Sequence, residues 1–439
     1  MKKFIQTIKN IYKIEELRKR IVYTFLLILV YRLGSFIVLP GIDPSVIAEF
    51  SASMSNRTDA LSLLNMFSGG AFGKVSIFAL GVMPYISASI VVQLLGVFVG
   101  KFRKMQAEES GRRKLNQITR LLTIVILCIP GPAYISNIRH QYPNAFLVSS
   151  KLYILAATVI LLGGSMFVMW LGERITERGI GNGISLIIMI GIIARLPQAF
   201  MAEVLSKAGS TTGGILLLIV EFVILFFVFV AAIALVQAVR KVPVQYANRV
   251  IGNKQYGGVR QYIPLTVNAS GVMPIIFAQA IMLFPIIFSR FDATRGFAAA
   301  MSNYTGFWYN LVFGFLVIVF TYFYTAVTFQ PNMMAEDMKK NGGFIPGVKP
   351  GKKTMEYLDT IMTRIVLPGS IFLAIIAVLP AIATLCGVNN QFASFYGGTS
   401  LLILVGVVLD TLQQVESHLL MRHYDGLMKT GRLTGRSGM

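Results

Sequence analysis

The residues that could do covalent chemistry lie in patterns that do not complete a known site. Residues 68–75 (SGGAFGKV) resemble a phosphate-binding loop, but they lack its first glycine and its final Ser or Thr. Residues 179–183 (GIGNG) resemble a dinucleotide-binding turn, but isoleucine stands where the third glycine is required. Three histidines near the ends of apolar runs and two cysteines make no metal site or disulfide framework. We therefore expect no catalytic residue, no metal, no cofactor and no enzyme activity.

Ionisable residues inside long apolar runs are suspected of function by default. Arg32, Glu221 and Asp410 are examples. Snorkelling to the interface or a helix–helix pair would account for each of them. No acidic cluster is predicted near a membrane midplane, which weighs against a proton- or sodium-coupled solute transporter.

Long apolar runs carry most of these residues. The chain has 439 residues, of which 55% are hydrophobic and 13% charged, with a net charge of +21. Soluble domains carry about 25% charged residues, so a water-soluble protein is excluded. A helix needs roughly 20 apolar residues to cross a bilayer. Ten stretches qualify: 21–39, 72–99, 118–137, 152–171, 183–200, 214–237, 270–289, 308–328, 364–386 and 397–417.

The orientation of these spans follows from the positive charges between them. Alternate connections on one side, including both termini, hold 29 Lys and Arg residues, whereas the connections on the other side hold 6. By the positive-inside rule, both termini are cytoplasmic. The first span has no cleavage site after it and is predicted to be retained. The second contains Gly81 and Pro84, which predict a kink.

We predict a single membrane domain over residues 1–439, with one half of its spans in 21–200 and the other in 214–417. Two cytoplasmic connections, 238–269 and 329–363, are long and rich in Gly, Pro, Lys and Arg. Connections of this length usually have a function or lack order. Within the first, residues 251–263 are predicted to form a hairpin around Gly257 and Gly258.

Six segments occur in an order and at spacings that together resemble one family. They are 65–70 (NMFSGG), 81–90 (GVMPYISASI), 108–114 (EESGRRK), 170–185 (WLGERITERGIGNGIS), 344–351 (FIPGVKPG) and 395–400 (FYGGTS). Any one of them is a weak signal, but the ordered set is specific. From about residue 10 to about residue 425, the chain is similar to the bacterial SecY family of protein-translocation channels.

The resemblance implies an all-α fold of ten transmembrane helices with a plug, in a bacterial inner membrane. It implies a pore that conducts unfolded polypeptides and releases hydrophobic segments laterally into the bilayer. The partners it implies are the subunit SecE, often SecG, the ATPase SecA, translating ribosomes through their RNA, signal peptides, nascent membrane proteins and lipids.

The resemblance also implies a ring of aliphatic side chains in the pore. A narrow apolar ring dewets and blocks ions, yet it deforms around a passing chain. Matched residue by residue, the ring consists of Val82, Ile86, Ile184, Ile188, Ile276 and Ile403. Without the resemblance, each of these residues would be read as ordinary packing.

The family's plug and lateral gate map onto two further sets of residues. The plug corresponds to about 61–72, with a hinge at its two adjacent glycines. Its members are Leu63, Leu64, Asn65, Met66, Phe67, Ser68, Gly69 and Gly70. The lateral gate corresponds to Ser87, Gln93, Asn182 and Phe284. Hydrogen bonding or packing between helices is the alternative interpretation of the gate residues.

The two long cytoplasmic connections correspond to the family's docking surface for SecA or the ribosome. Their positive charges would attract ribosomal RNA phosphates, although the positive-inside rule alone accounts for many of them. The docking residues are Arg240, Lys241, Arg249, Lys254, Arg260, Lys349, Lys352 and Lys353. Lys349 departs from the family, which usually has Arg there, so the charge is kept but the planar fork of donors is lost.

Two other functions remain open. A secondary transporter of a small solute would use broken helices at the midplane, and uptake of a solute without any polypeptide would reveal it. A membrane scaffold or insertase without a through-pore is the second alternative. Release of a soluble secretory protein across the membrane would separate it from a channel.

Overall fold

The fold is that of a mostly helical membrane protein, seen here in a computed structural model. The structure describes residues 14–56, 65, 67–148, 151–208, 214–246, 249–251, 254–256, 260–268, 270–282, 301 and 305–430. The chain divides into two compact units. The first contains the described residues up to Arg195 and those from Val407 onward, and the second runs from Leu196 to Gly406.

Most helices of the first unit overlap the predicted spans of the N-terminal half. The helices of this unit are α1 (Glu15–Gly34), α2 (Pro44–Asn56), α3 (Met83–Phe98), α4 (Gly100–Ala107), α5 (Glu109–Leu127), α6 (Pro130–Gln141), α7 (Lys151–Arg178) and α8 (Gly183–Ile193). The core lies under α2, α6 and α7, where Phe50, Ile135 and Leu161 are almost fully buried. Leu39 and Val75 join this core and bond to each other through the Val75 carbonyl and the Leu39 amide.

Most helices of the second unit also overlap predicted spans. The helices of this unit are α9 (Leu196–Ala208), α10 (Gly214–Gln237), α11 (Met273–Met282), α12 (Phe307–Thr328), α13 (Pro331–Lys340), α14 (Lys352–Leu385), α15 (Asn390–Ala393) and α16 (Gly398–Thr430), which continues into the first unit. Most of the large side chains of α10 are exposed, as expected of a helix whose surface faces lipid.

Seven helical stretches of the described part are long and apolar enough to cross a membrane. A bent pair, α3 with α4 at 101°, makes eight. Helix α1 is 20 residues long and carries basic residues at both ends, and α11 is described only to Met282. The count of ten spans stays a prediction.

The second predicted span differs from the helix that forms. Residues 68–82 make a series of turns, and regular helix begins only at Met83, with Pro84 in its first turn. Proline is favoured there because its missing N–H has no partner in a first turn anyway. The hydropathy of 72–82 therefore reflects buried turns, since Ala71, Val75 and Ala79 are almost fully buried.

A short polar turn precedes α2. The Asp43 carboxylate accepts hydrogen bonds from the Ser45 amide at 2.9 Å and the Ser45 hydroxyl at 2.7 Å. These two bonds lower the pKa of Asp43 below its usual range, because they favour the charged form. The turn therefore satisfies one of the free amides at the start of α2.

The two long connections form antiparallel strands rather than loops without structure. Strand β1 (Val239–Tyr246) lies between β4 (Arg260–Thr266) and β5 (Gly343–Phe344). Strands β2 (Arg249–Ile251) and β3 (Lys254–Tyr256) form a separate pair. Ile251 pairs with Lys254, whereas Gly257 and Gly258, around which a hairpin is predicted, lie outside the described residues.

The three-stranded sheet is packed on α13 and the first half of α14. Val242, Val244 and Leu265 are buried against Ile345 and Leu358. On β1, Lys241 and Pro243 are exposed, whereas Val242 and Val244 are buried. The strand therefore has one buried face and one exposed face.

Candidate plug, pore and docking loop

The described part of the predicted plug is a compact turn. Asn65 Oδ1 accepts a hydrogen bond from the Gly73 amide at 2.8 Å, and Ser68 Oγ accepts one from the Phe72 amide at 3.0 Å. Gly69 and Gly70 have φ values of 65° and 88°, a region that favours glycine. Phe67 and Ser68 are buried. Leu63, Leu64 and Met66 lie outside the described residues.

Helix α1 holds this turn from one side. The Tyr31 hydroxyl donates to the Ser68 carbonyl at 3.3 Å, and Arg32 Nη1 donates to the Gly69 carbonyl at 3.1 Å. The Arg32 guanidinium also lies 4.8 Å from the centre of the Phe36 ring, within range of a cation–π contact. Among the described residues, Arg32 therefore binds a backbone carbonyl of the predicted plug rather than a carboxylate of another helix.

Helix α8 closes on the same turn through a glycine–glycine contact. A Cβ atom built on Gly69 would lie 2.7 Å from the Cα of Gly191. A Cβ built on Gly191 would lie 3.1 Å from the Gly69 nitrogen and 3.2 Å from the Phe67 carbonyl oxygen. Backbone approaches backbone here, and neither position has room for a side chain without movement.

The predicted ring residues are apolar and mainly buried. In the first unit, Val82 precedes α3, Ile86 lies in its first turn, and Ile184 and Ile188 lie one turn apart on α8. Val82 and Ile188 are buried, whereas Ile86 and Ile184 are partly buried. In the second unit, Ile276 lies on α11 and is partly buried, and Ile403 lies on α16 and is buried. The ring itself stays a prediction.

The predicted gate residues in the described part make local hydrogen bonds. The Ser87 hydroxyl donates to the Met83 carbonyl one turn back, and Gln93 Nε2 donates to Ser89 Oγ at 3.4 Å. Asn182 caps α8, with its side-chain oxygen accepting from the Ser185 amide. This capping role was available from the sequence, because Asn before Gly-Ile-Ser at a helix start is an N-cap signal. Phe284 lies outside the described residues.

The connection between α7 and α8 is fixed by side chains that the sequence analysis did not select. The Ile180 amide donates to Thr24 Oγ1 at 3.1 Å, and the Gly181 amide donates to Gln414 Oε1 at 2.8 Å. Arg120 binds the Glu173 carboxylate with two hydrogen bonds, at 3.0 and 2.6 Å. Segment 170–185 thus contains a turn that is tied to α1 and α16, and the end of α7 before it is tied to α5.

The predicted docking residues lie on the sheet and the turn that follows it. Arg240 and Lys241 are exposed on β1, and Lys349, Lys352 and Lys353 are exposed between β5 and the start of α14. Arg249, Lys254 and Arg260 belong to β2, β3 and β4, and their side chains lie outside the described part of the chain.

The turn that carries Lys349 is anchored at both ends. Ile345 is buried in the core beneath the sheet, and the Lys349 carbonyl accepts a hydrogen bond from Thr354 Oγ1 at 3.0 Å. Gly347 and Gly351 have φ values of 84° and 97°, so the turn uses glycine where the backbone demands it. The lysine is therefore presented on a fixed turn rather than on a free loop.

Comparison with known proteins identifies the relatives of this chain. The SecY family profile matches residues 76–412. The chain is 38% identical to the protein translocase subunit SecY of Chlamydia trachomatis, over 98% of this chain and 99% of that one. It is 40% identical to that of Thermotoga maritima, again over 98% and 99%.

Solved structures share the same fold. The structure of a protein conducting channel matches with a TM-score of 0.59 at 16% identity, covering 95% of both chains. Sec61 in the canine ribosome–channel complex matches with a TM-score of 0.56, also at 16% identity and with 95% of both chains covered. The sequence relationship and the shared fold lead to one assignment: this chain belongs to the SecY family.

Proposed function

We propose that this chain is the channel-forming subunit of a protein translocon. It conducts unfolded secretory polypeptides across a bacterial inner membrane and releases hydrophobic segments sideways into the bilayer. The observation that carries this proposal is the 38–40% identity, over nearly the whole length, to relatives named protein translocase subunit SecY.

The physics of the substrate explains why such a channel needs a seal. An extended polypeptide exposes backbone polar groups that cost several kcal/mol each in hydrocarbon. A polar path removes this cost but leaks ions when no chain occupies it. The turn at 67–70, held by α1 and backed by α8, supports a plug that seals the empty channel.

The proposal also includes a single membrane domain with two halves, a pore ring and a lateral gate. Val82, Ile86, Ile184 and Ile188, with Ile276 and Ile403, would supply the apolar constriction. Ser87, Gln93, Asn182 and Phe284 would line the exit for hydrophobic segments. The local hydrogen bonds of Ser87 and Gln93 would leave their helix free to separate from a neighbour without leaving an unpaired polar group.

The proposed partners are SecE and SecG in the membrane, and SecA or the ribosome on the cytoplasmic side. The exposed cations of β1 and of the 349–353 turn support docking to an acidic protein surface or to RNA phosphates. Copurification in mild detergent, followed by mass identification of the bound chains, tests this part.

Reconstitution tests the function itself. Vesicles containing this chain and its copurified partners should protect a secretory protein from external protease when SecA and ATP are supplied. Uptake of a small solute by these vesicles without any polypeptide would favour the transporter. Insertion of membrane proteins without release of a soluble secretory protein would favour the scaffold or insertase.

The ring predicts an effect of polarity at one position. Ile188→Asn should increase ion conductance across planar bilayers, because an amide in the constriction favours wetting. Ile193→Asn is the matched control, since it lies on the same helix and is 38% exposed. Equal conductance of the two variants would contradict the placement of Ile188 in the ring.

The charge asymmetry predicts which connections are outside. In a chain whose native cysteines are removed, single cysteines at Asn56 and Asn390 should react with an impermeant reagent added outside intact cells. A cysteine at Lys349 should react only after the membrane is opened. Labelling of position 349 from outside would overturn the proposed cytoplasmic docking face.

A further inference from the structure

Two buried carboxyl groups and one lysine meet within the second unit, at a place that the sequence analysis did not connect. Glu203 and Lys207 lie on α9, and Glu221 lies on α10. Glu203 is 1% exposed and Glu221 is 5% exposed. Hydropathy places Glu203 and Lys207 between the fifth and sixth predicted spans and Glu221 inside the sixth, and it does not reveal contacts between distant residues.

Lys207 is shared between the two carboxyl groups. Its Nζ lies 3.0 Å from Oε1 of Glu221 and 3.7 Å from Oε1 of Glu203. The same Nζ donates a hydrogen bond to the Gly387 carbonyl at 2.9 Å. Two potential negative charges therefore face one positive charge.

The cluster fastens the turn that leads into α15 and α16. Oε2 of Glu203 accepts a hydrogen bond from the Asn389 amide at 2.8 Å. With the bond from Lys207 to Gly387, this holds both ends of the turn 387–389 against α9. The Tyr396 hydroxyl donates to the Glu221 carbonyl at 2.8 Å, which ties the following segment to α10.

Aromatic side chains from the same elements as this polar group pack on one another. Phe200 packs on Phe222 with ring centres 5.6 Å apart, Phe222 on Phe392 at 5.8 Å, and Phe392 on Tyr396 at 5.7 Å. Burial, followed by the nearby Glu221 and Glu203 carboxyl groups, raises the pKa of Tyr396, so its hydroxyl remains a donor. An uncompensated negative charge in such surroundings is costly.

Most oxygens of the two buried carboxyl groups lack a hydrogen-bond donor among the described residues. Apart from the ion pairs with Lys207, Oε1 of Glu203 and both carboxyl oxygens of Glu221 accept no hydrogen bond from the described residues. Two carboxylates that share a buried site cannot both be ionised cheaply. One proton on either carboxyl group would supply a donor and make the cluster neutral with Lys207.

We propose that Glu203 and Glu221 form a proton-binding site that holds one shared proton, with Lys207 as counter-ion, and that this site fastens the turn 387–389. The described titratable groups at this site are Glu203 and Lys207 on α9, Glu221 on α10, and Tyr396. The cluster is neutral with one proton, negative with none and positive with two. The turn is therefore held most firmly between the two extremes of pH.

The test uses glutamines to imitate the protonation states. Glu203→Gln and Glu221→Gln each leave one carboxylate for Lys207, as in the state with one proton. The double variant leaves Lys207 without a counter-charge. The infrared C=O band of a protonated carboxyl group, measured on the full chain with its copurified partners, should be lost in both single variants. It should persist in Glu177→Gln, which alters an exposed ion pair with Arg174.

A native thiol reports on the turn. Cys386 is exposed and directly precedes Gly387, so its maleimide labelling rate, measured after Cys128→Ser, follows the turn. At neutral pH, we expect both single variants to label at the parent rate. The double variant should label at least about tenfold faster, because removing the partners of a buried charge is strongly destabilising. At high pH, the parent rate should rise relative to each single variant, which has no shared proton to lose.

Two results would overturn the proposal. One is a carboxyl band that survives in both single variants, and the other is a double variant that labels at the parent rate. Neither readout requires translocation, so failure here is distinguishable from failure of the proposed channel function.

Discussion

Gly191→Val should raise the ion conductance of the resting channel roughly five- to hundredfold. The first atom of the new side chain would lie 3.1 Å from the Gly69 nitrogen and 3.2 Å from the Phe67 carbonyl oxygen, and the two further methyl groups need more space. Overpacking of this kind costs about 1–3 kcal/mol, and each 1.4 kcal/mol changes an equilibrium about tenfold. The cost should fall on the seated state of the proposed plug, because displacing the 67–70 turn would remove the contact.

The helix itself should tolerate the change. Gly191 lies within α8 and has no positive φ, so valine is compatible with its backbone. Gly163→Val in α7 is the matched control, because a Cβ there meets nothing within 4 Å. Planar-bilayer recordings of both variants provide the measurement. Equal conductance in the two would show that the contact between Gly69 and Gly191 does not seal the channel.

The spans that the sequence predicts best are those whose whole surface is apolar. The sixth predicted span, 214–237, coincides with α10, which has glycine at its start and a strand directly after it. The second span was predicted eleven residues too early, because the buried turns of 72–82 are as apolar as helix. Hydropathy measures burial in lipid or protein alike, and it does not report the backbone conformation.

The site was predictable where a family pattern marks it and not where distant residues meet. The motif 65–70 indicated a plug, but the bonds from Tyr31 and Arg32 to its carbonyls could not be read from spacing. Glu221 was singled out, but its cluster with Glu203 and Lys207 was not predicted, because these two residues come from another helix. Tertiary contacts decide the role of a polar residue inside a membrane helix.

Lys349→Glu should reduce SecA-dependent translocation to the background level. The side chain is exposed on a turn that Ile345 and the bond from Thr354 hold in place. Reversing an exposed charge typically changes stability by less than about 0.5 kcal/mol, so the turn should remain folded. The expected loss arises because a carboxylate would face an acidic partner surface.

The family's usual arginine gives the second arm of this experiment. Lys349→Arg restores a planar fork of donors and keeps the charge. If one point charge is sufficient for docking, translocation by this variant should match the parent. Lys19→Glu is the control for cytoplasmic charge, since it reverses an exposed lysine that pairs with Glu15 at 2.9 Å. Translocation into vesicles is measured for all three, with copurification of SecE as the measure of assembly. Full activity of Lys349→Glu would mean that the charge of Lys349 does not contact SecA. The lysine would then contribute only to membrane orientation.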